Sequence, residues 1–286
     1  MADLPVQAND VKTIDVQAAD GHRWQLLATV PARAHSRLLW LPAMGVAARH
    51  YLPFAQALCA RGVAVFIHDW RGIGSSSLRP ARDSDWGYRE LLAFDLPASE
   101  AAVSAHMDGL PRILGGHSLG GQLACCHLGM NPDSASRLWL VASGSPYWRS
   151  FPPRTRWWLP MAYRFLPWLA ERRGFLPGRS IGFGRNESRS VIADWARSAL
   201  SGRYAARGLE VDLEAGMVRL DVQAHAVVFA RDWLAPVGSS HYLLSKLPRT
   251  RHRIDCLAAD QLGTRAGHFE WMKQPAAVVD ALLRDE

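Results

Sequence analysis

Residues 113–126, ILGGHSLGGQLACC, set one serine, Ser118, between two glycines that each lie two positions away. An apolar run precedes the serine and small residues follow it, so the pattern predicts a strand, a very tight turn and a helix. Side chains two positions before and after such a turn would collide, and Gly116 and Gly120 remove that collision. Gly121 lets the helix pack close to the sheet. The turn lifts the Ser118 hydroxyl beside the unpaired N–H groups of the helix start. The plainer alternative is a turn whose serine only caps the helix.

Strands and helices alternate on both sides of this stretch. VKTIDVQAADGHRWQLLATV predicts a β-hairpin, and SRLLWLPA, VAVFIHD, PRILGG and SRLWLVASG predict further strands. RHYLPFAQALCARG predicts a helix that ends at Gly62, and DLPASEAAVSAHM predicts one capped by Asp95. Later, QAHAVVFARD and RHRIDCLAA predict strands, and SSHYLLSKL and PAAVVDALLR predict helices. This alternation favours an α/β fold in which helices cover both faces of a mainly parallel sheet.

The alternation stops between residues 145 and 218, which hold five of the twelve tryptophans. Twelve arginines face six acidic residues between Ser145 and Ala215, so this segment carries +6 of the formal net charge of +7. Its prolines and glycines predict short, interrupted helices. We therefore predict a sheet domain that is interrupted by a helical lid. Residues 1–144 form the first part of the sheet domain, residues 145–218 the lid and residues 219–286 the second part of the sheet domain.

The bulk composition excludes several classes of protein. Of 286 residues 49% are hydrophobic and 21% charged, which is typical of a globular chain with a sizeable core. No apolar run is long enough to span a membrane, and residues 1–17 lack the basic and apolar regions of a secretory leader. Four cysteines do not make a disulfide framework, so we expect free thiols and a cytoplasmic location. No metal-ligand spacing is present, and the turn Gly72–Gly74 lacks the third glycine of a dinucleotide loop, so no metal and no cofactor is expected.

A serine hydroxyl needs a neighbouring base, and the base needs a carboxylate to fix its tautomer. His268 lies in a loop between the last strand and the last helix, where such sheets present functional loops. Asp232 directly follows the strand HAVVFAR. We prefer it to Asp255, which lies inside a predicted strand, and to Asp260, which lies on the same loop as His268. The chain order Ser118, Asp232, His268 is the order expected for this kind of turn.

Attack by the serine also needs N–H donors for a developing oxyanion. The backbone N–H of Leu119 is the natural first donor. The second is expected from the loop after RLLWLPA, at the N–H of Met44. His117 neighbours Ser118 in sequence, but its side chain is expected to point away and pack. Asp69 and Arg71 are expected to hold the loop DWRGIGSSS by hydrogen bonds.

Taken together, LPAMG, HDWRGIGSSS, GGHSLGGQ, FARDWLAP and GHFEW resemble the α/β-hydrolase family over nearly the whole chain. The match is most similar to a bacterial subgroup related to the serine aminopeptidase and monoacylglycerol-lipase-like branch. The resemblance implies an eight-stranded sheet, a lid after the sixth strand, and Ser118, Asp232 and His268 as a catalytic triad. One departure is that many relatives have His-Gly where this chain has Pro42 and Ala43, which leaves the shape of the oxyanion loop open.

These features predict a serine hydrolase that cleaves a carboxylic ester or a thioester through an acyl-enzyme, in the manner of esterases and lipases. In the lid, Trp148, Trp157 and Trp158 are expected to bind an apolar acyl part, and the arginines an anionic part. The expected partners are then an acidic carrier protein or an anionic lipid surface, and no nucleic acid. A plainer alternative is that the tryptophans pack on the sheet domain while the arginines face water. Two other readings of the site are an acyltransferase with a non-water acceptor and a non-catalytic ligand-binding protein.

Overall fold

The alternating segments form strands in the computed structural model, which describes residues 11–181 and 184–284. Of residues 1–17, for which no secretory leader is predicted, residues 1–10 therefore lie outside the described residues. In chain order the strands are β1 (Lys12–Gln17), β2 (Arg23–Thr29), β3 (Ser36–Leu41), β4 (Val63–Ile67), β5 (Arg112–His117), β6 (Arg137–Val141), β7 (Phe175–Leu176), β8 (Glu187–Ser188), β9 (Gln223–Phe229) and β10 (Arg251–Leu257).

Eight of these strands make one sheet in the order β1-β2-β4-β3-β5-β6-β9-β10. The pairs β1–β2 and β2–β4 are antiparallel, and every other neighbouring pair is parallel. The predicted hairpin and the mainly parallel eight-stranded sheet are both confirmed. The short strands β7 and β8 pair with each other as a separate antiparallel ribbon.

Helices cover both faces of the sheet. In the described ranges the α-helices are α1 (Leu52–Cys59), α2 (Tyr88–Glu90), α3 (Leu96–His106), α4 (Leu119–Met130), α5 (Pro153–Arg156), α6 (Leu159–Arg173), α7 (Gly178–Ile181), α8 (Arg189–Ser201), α9 (Leu213–Arg219), α10 (Val237–Leu244), α11 (Ala259–Leu262) and α12 (Ala276–Leu282). A π-helical turn over Leu91–Asp95 joins α2 to α3. As predicted, α1 comes before a left-handed Gly62, whose φ is 84°.

The central strands are apolar on both sides because both sides are covered. Every residue of β3 is buried. Leu39 and Leu41 belong to one hydrophobic cluster, whereas Leu38 and Trp40 belong to the cluster on the opposite face. Successive side chains of a strand point to opposite faces, so a continuous apolar run is what such a strand requires.

Asp95 does not cap a helix, which corrects the expectation from the sequence. Its side chain makes no capping hydrogen bond, and the chain is already helical at Tyr88. Instead the buried carboxylate accepts two hydrogen bonds of 2.8 Å from Arg71. Its Oδ1 atom also lies 3.0 Å from Nδ1 of His22. A buried charge needs a partner of opposite charge, and that requirement outweighs capping here.

The segment between β6 and β9 contains α5 to α9 and the ribbon of β7 and β8. Its helices are less interrupted than the prolines predicted, because α6 continues for 15 residues through Pro167. Tyr163 of α6 packs edge-on against Trp195 of α8, with ring centroids 5.0 Å apart. This packing compensates for the hydrogen bond that Pro167 cannot donate. Farther along, Leu213 and Met217 of α9 join the hydrophobic cluster that contains Leu39.

Candidate active site

The turn between β5 and α4 has the geometry expected from its glycines. Ser118 has φ 54° and ψ −118°, a region that non-glycine residues rarely adopt. A Cβ atom on Gly116 would collide with the backbone of Gly120, and one on Gly121 would collide with the Ser143 side chain. The Ser118 N–H donates to the carbonyl of Val141 at 3.1 Å, which ties the turn to the end of β6. The serine therefore stands at a strained, well-supported corner of the sheet.

Asp232 and His268 form a buried pair. Asp232 Oδ2 lies 2.7 Å from His268 Nδ1, and both side chains are at most 5% exposed. Asp232 Oδ1 accepts hydrogen bonds from the N–H groups of Leu234 and Ala235 at 2.9 and 3.0 Å. A carboxylate can only accept, so Nδ1 must carry the proton and Nε2 is left as an acceptor. This is the tautomer that a general base needs.

The two other candidate carboxylates lie elsewhere. Asp255 pairs with Arg253 at 2.9 Å and with Arg284 at 3.0 Å on β10. Asp260 is exposed in the short helix α11. The geometry therefore selects Asp232 from the three aspartates as the partner of His268.

The neighbour of Ser118 brings the turn close to His268. The ring centroids of His117 and His268 are 4.7 Å apart. Over the described ranges, the Ser118 hydroxyl makes no hydrogen bond with His268. In enzymes without substrate this contact is often long and shortens in the bound state. The structure thus joins Asp232 to His268 directly and places His117, the neighbour of Ser118, against the His268 ring.

The loop after β3 is held from both sides. The indole N–H of Trp70 donates to the carbonyl of Pro42 at 2.8 Å, and the N–H of Ala43 donates to the Tyr51 hydroxyl at 2.9 Å. The peptide between Pro42 and Ala43 is therefore fixed, and the Ala43 N–H is occupied. In the part of the chain that the structure describes, the N–H groups of Met44 and Leu119 donate to no protein acceptor. Both expected oxyanion donors are thus free for a ligand.

Tyr51 also links this loop to the serine turn. Its hydroxyl lies 2.8 Å from Nδ1 of His117. The hydroxyl accepts from the Ala43 N–H, and its own hydrogen is available to donate to Nδ1 of His117. Burial and the neighbouring His268 hold the pKa of His117 well below its usual range, so the ring is neutral and can accept. As expected, His117 is a buried packing residue, and through Tyr51 it also connects the turn to the loop after β3.

The loop after β4 is fastened by its polar residues, as expected. Asp69 accepts from the N–H of Ala48 at 2.7 Å and from the N–H of Ser75 at 2.9 Å. Arg71 is bound by Asp95 at 2.8 Å and by Asp20 at 2.7 Å. These hydrogen bonds position Trp70, which in turn holds the loop after β3.

A pocket adjoins the two expected oxyanion donors. It is lined by Met44, Gly45, Trp70, Arg71, Trp86, Leu91, Leu119, Glu187 and Val191. Of these lining residues, the sequence predicted only Met44 and Leu119 as residues that contact the substrate. The position of Trp70, directly after a buried strand and an aspartate, is a signal that could have found it. Glu187 has no local signal, because it comes from β8 of the segment between β6 and β9.

The three tryptophans predicted to bind substrate lie outside this pocket lining. Trp148 is half-buried and packs beside Phe151 and Leu159. Trp157 and Trp158 are 73% and 45% exposed. Their role in substrate binding stays a prediction.

None of the helices in the described ranges combines the length and the apolar surface that a membrane crossing requires. Within the same ranges no group of three or more His, Cys, Asp or Glu side chains is arranged to hold a metal ion.

Comparison with solved structures supports the fold. An esterase from Exiguobacterium antarcticum is similar at 15% identity and a TM-score of 0.62, over 96% of this chain and 98% of that one. The thioesterase domain from the curacin biosynthetic pathway is similar at 16% identity and a TM-score of 0.60, over 96% and 100%. DcsB, solved with a substrate analogue, is similar at 14% identity and a TM-score of 0.65, over 96% and 98%.

The sequence comparisons differ in their results. No curated protein matches the chain. The family model described as serine aminopeptidase S33 matches residues 32–285. That match covers most of the chain, and the eight-stranded sheet agrees with it. The chain therefore belongs to the serine aminopeptidase S33 family and has the α/β-hydrolase fold.

Proposed function

We propose that this protein is a serine hydrolase that cleaves carboxylic esters or thioesters through an acyl-enzyme. The observation that carries the proposal is the 2.7 Å hydrogen bond between buried Asp232 and His268, beside a serine held at φ 54°. A binding protein has no need of an imidazole with a fixed tautomer near a strained serine. The named esterase and thioesterase domain, which share the fold, agree with this class of reaction.

In this mechanism the Ser118 hydroxyl attacks the carbonyl carbon while His268 Nε2 takes its proton. Asp232 keeps the ring oriented and stabilises its protonated form. The N–H groups of Leu119 and Met44 hold the oxyanion. His268 then protonates the leaving alcohol or thiol, which departs and leaves the acyl group on Ser118. Water, deprotonated by His268, attacks the acyl-enzyme, and His268 returns the proton to the Ser118 oxygen as the acid leaves.

The lid face supports an amphiphilic substrate with an anionic part. We use the name "lid face" for a group of apolar side chains that are 45–74% exposed, namely Trp157, Trp158, Met161, Phe165 and Trp168. Positions 158, 161, 165 and 168 lie on one side of a helix. Four exposed arginines flank the face, namely Arg154, Arg164, Arg172 and Arg173. An apolar face with a cationic rim suits a lipid-like ester, an anionic lipid surface or an acidic acyl carrier protein.

A fluorophosphonate probe tests the proposed nucleophile. The folded protein should be labelled, Ser118→Ala should abolish labelling, and the exposed-serine control Ser245→Ala should leave it unchanged. A series of p-nitrophenyl esters of graded length should be hydrolysed with the same dependence on Ser118. A folded protein that neither reacts with the probe nor hydrolyses any ester would contradict a serine hydrolase and favour the ligand-binding reading. Product analysis with an added alcohol or amine separates hydrolysis from acyl transfer.

A further inference from the structure

Glu187 is a buried carboxyl group inside an otherwise mostly apolar pocket. Its side chain is 5% exposed, and it lines the pocket together with Met44 and Leu119, the two expected oxyanion donors. The residue lies on β8, whose pairing with β7 fixes its backbone. Ser188, the next residue, caps α8 and also donates from its hydroxyl to the Trp86 carbonyl. The position of Glu187 is therefore set by the fold rather than by a flexible loop.

The carboxyl group of Glu187 lacks a full set of partners. Within the described part of the chain, its Oε1 atom has no hydrogen-bond partner. Buried polar atoms are almost always hydrogen-bonded, and an unpartnered one costs stability. The stability lost at this unpartnered oxygen is explained when a ligand in the pocket forms the missing hydrogen bond. Such a ligand would lie next to the carbonyl oxygen held by Met44 and Leu119.

The surroundings favour a neutral ligand group over a charged one. Burial raises the pKa of the Glu187 carboxyl to about 8, against the opposing effect of the Gly45 N–H. Near neutral pH the group is thus an uncharged acid that can both donate and accept. The one cation of the pocket lining, Arg71, is already bound by Asp95 and Asp20. An ammonium group would require an ionised Glu187 carboxylate, and burial opposes that ionisation.

Apart from Arg71 and Glu187, the pocket wall is formed mainly by apolar side chains. Trp70, Trp86, Leu91 and Val191 are all at most 4% exposed. Ligand sites commonly combine such walls with a few placed polar groups that set orientation and specificity. The cavity volume of this pocket is about 10 Å³, so it has room for one hydroxyl-sized group carried on a mostly hydrocarbon acyl chain and not for the chain itself.

We propose that Glu187 is a specificity-determining residue whose carboxylic acid hydrogen-bonds a neutral hydroxyl group on the acyl part of the substrate. The proposal rests on the hydrolase function above and names a substrate class for the same site, the esters or thioesters of hydroxy acids. Glu187 takes no part in the covalent steps. It selects which acyl chain lies against the oxyanion donors.

Matched esters test this specificity. We compare kcat/KM for the p-nitrophenyl esters of 3-hydroxybutyrate and butyrate. The natural protein should prefer the hydroxy ester by about tenfold or more, because a site built to bind a hydroxyl discriminates strongly against an analogue without it. Glu187→Gln should keep most of this preference and Glu187→Leu should remove it. Asp194→Asn is the matched control, since Asp194 is a buried carboxyl on α8 that binds Tyr88 N–H and Arg197 instead.

Two further measurements keep the test decisive if Glu187→Leu does not fold. Free 3-hydroxybutyrate should inhibit the natural protein more strongly than butyrate does. An ester with the hydroxyl on its alcohol part should show no dependence on Glu187. Equal kcat/KM for the two acyl chains, or a preference that survives in Glu187→Leu, would overturn this inference. Fluorophosphonate labelling of Ser118 would in that case still support the hydrolase function. Absence of that labelling would overturn the proposed function and this inference with it.

Discussion

Ser118 keeps a backbone conformation that costs a non-glycine residue about 1–3 kcal/mol, and its neighbours make that conformation possible. Gly116 and Gly120 leave space for the turn, and the Val141 carbonyl binds the Ser118 N–H at 3.1 Å. At the same scale, Asp232 is held by two backbone N–H groups, so its free oxygen is aimed at His268. The strained backbone of Ser118 and the fixed orientation of the Asp232 carboxylate are thus both set by their immediate neighbours.

Replacing the carboxylate tests the tautomer argument. Asp232→Asn should lower kcat for a p-nitrophenyl ester by about 10³–10⁴-fold, because an amide can present a donor to Nδ1 and so favour the wrong tautomer. Asp255→Asn serves as control and should stay within about twofold of the natural protein, since Asp255 lies in ion pairs on β10. Equal losses in the two variants, measured at saturating ester, would contradict the assignment of Asp232.

The raised pKa of Glu187 makes stability depend on pH. The pKa is raised from 4.5 to about 8 in the folded protein. Between these values the unfolded chain has lost this proton and the folded protein has kept it. The contribution of Glu187 to stability therefore falls as pH rises through this window, by about 1.4 kcal/mol per pH unit at most.

Urea unfolding of Glu187→Gln from pH 5 to 8 measures this effect. Because glutamine does not titrate, the stability of the variant relative to the natural protein should increase with pH. Glu210→Gln removes an exposed acid and should give a flat difference over the same range. A flat difference for Glu187→Gln as well would mean that the carboxyl is ionised in the folded protein.

Elements meet at the site through side chains that bridge them. The chain just before α1 supplies Tyr51, which accepts from the loop after β3 and donates to His117 at the end of β5. The loop after β4 supplies Trp70, which binds the same peptide from its other side. Three consecutive connections of the sheet are thereby fixed relative to one another. The proposed oxyanion donors and the serine turn are held as one unit.

Removing one hydroxyl tests this connection between elements. Tyr51→Phe leaves the Ala43 N–H and the His117 Nδ1 without their partner, which should lower the free energy of unfolding by about 1–3 kcal/mol. The loosened Met44 loop should lower kcat more than it changes KM.

Tyr88→Phe is the control, because the buried Tyr88 hydroxyl has no partner among the described residues. Its loss should be close to neutral for stability. Urea unfolding and ester kinetics on both variants make the comparison. A Tyr51→Phe protein with unchanged stability and kcat would show that Tyr51 does not hold the loop.

The whole molecule has an uneven surface. The positive charge is concentrated in the segment between β6 and β9, which also carries the lid face. Arg156 and Arg172 lie 5.6 and 5.4 Å from the ring centroids of Trp157 and Trp168. Cations stacked on exposed aromatic rings are suited to the boundary between water and an anionic apolar phase.

Vesicle binding tests the lid face. The protein should co-sediment with vesicles that contain phosphatidylglycerol and bind phosphatidylcholine vesicles about tenfold or more weakly. The combined variant Met161→Ser, Phe165→Ser and Trp168→Ser should lose binding while keeping hydrolysis of a short soluble ester. Val218→Ser removes an exposed apolar residue of α9 and should change neither property. Equal binding to both vesicle types would exclude the role of the arginines.

Predictability from the sequence differs among these features. The sheet and the serine turn were predictable, since apolar runs and glycine spacing act on the local backbone. The pairing of Asp232 with His268 was predictable from their positions after strands, because parallel strands present their ends at one edge. The burial of Asp95 and the continuity of α6 through Pro167 were not, because Arg71 and α8 are distant in sequence.

The sequence by itself determined the order of strands and helices and the tight turn at Ser118, because these depend on residues within a few positions of one another. Only the tertiary structure decided that Tyr51 joins the loop after β3 to His117 and that Glu187 lines the pocket beside Met44 and Leu119. The physical reason is that the partners of a hydrogen bond, and the surroundings of a buried carboxyl group, depend on which distant segments of the chain pack together. Packing of that kind is a property of the whole folded chain and leaves no local pattern.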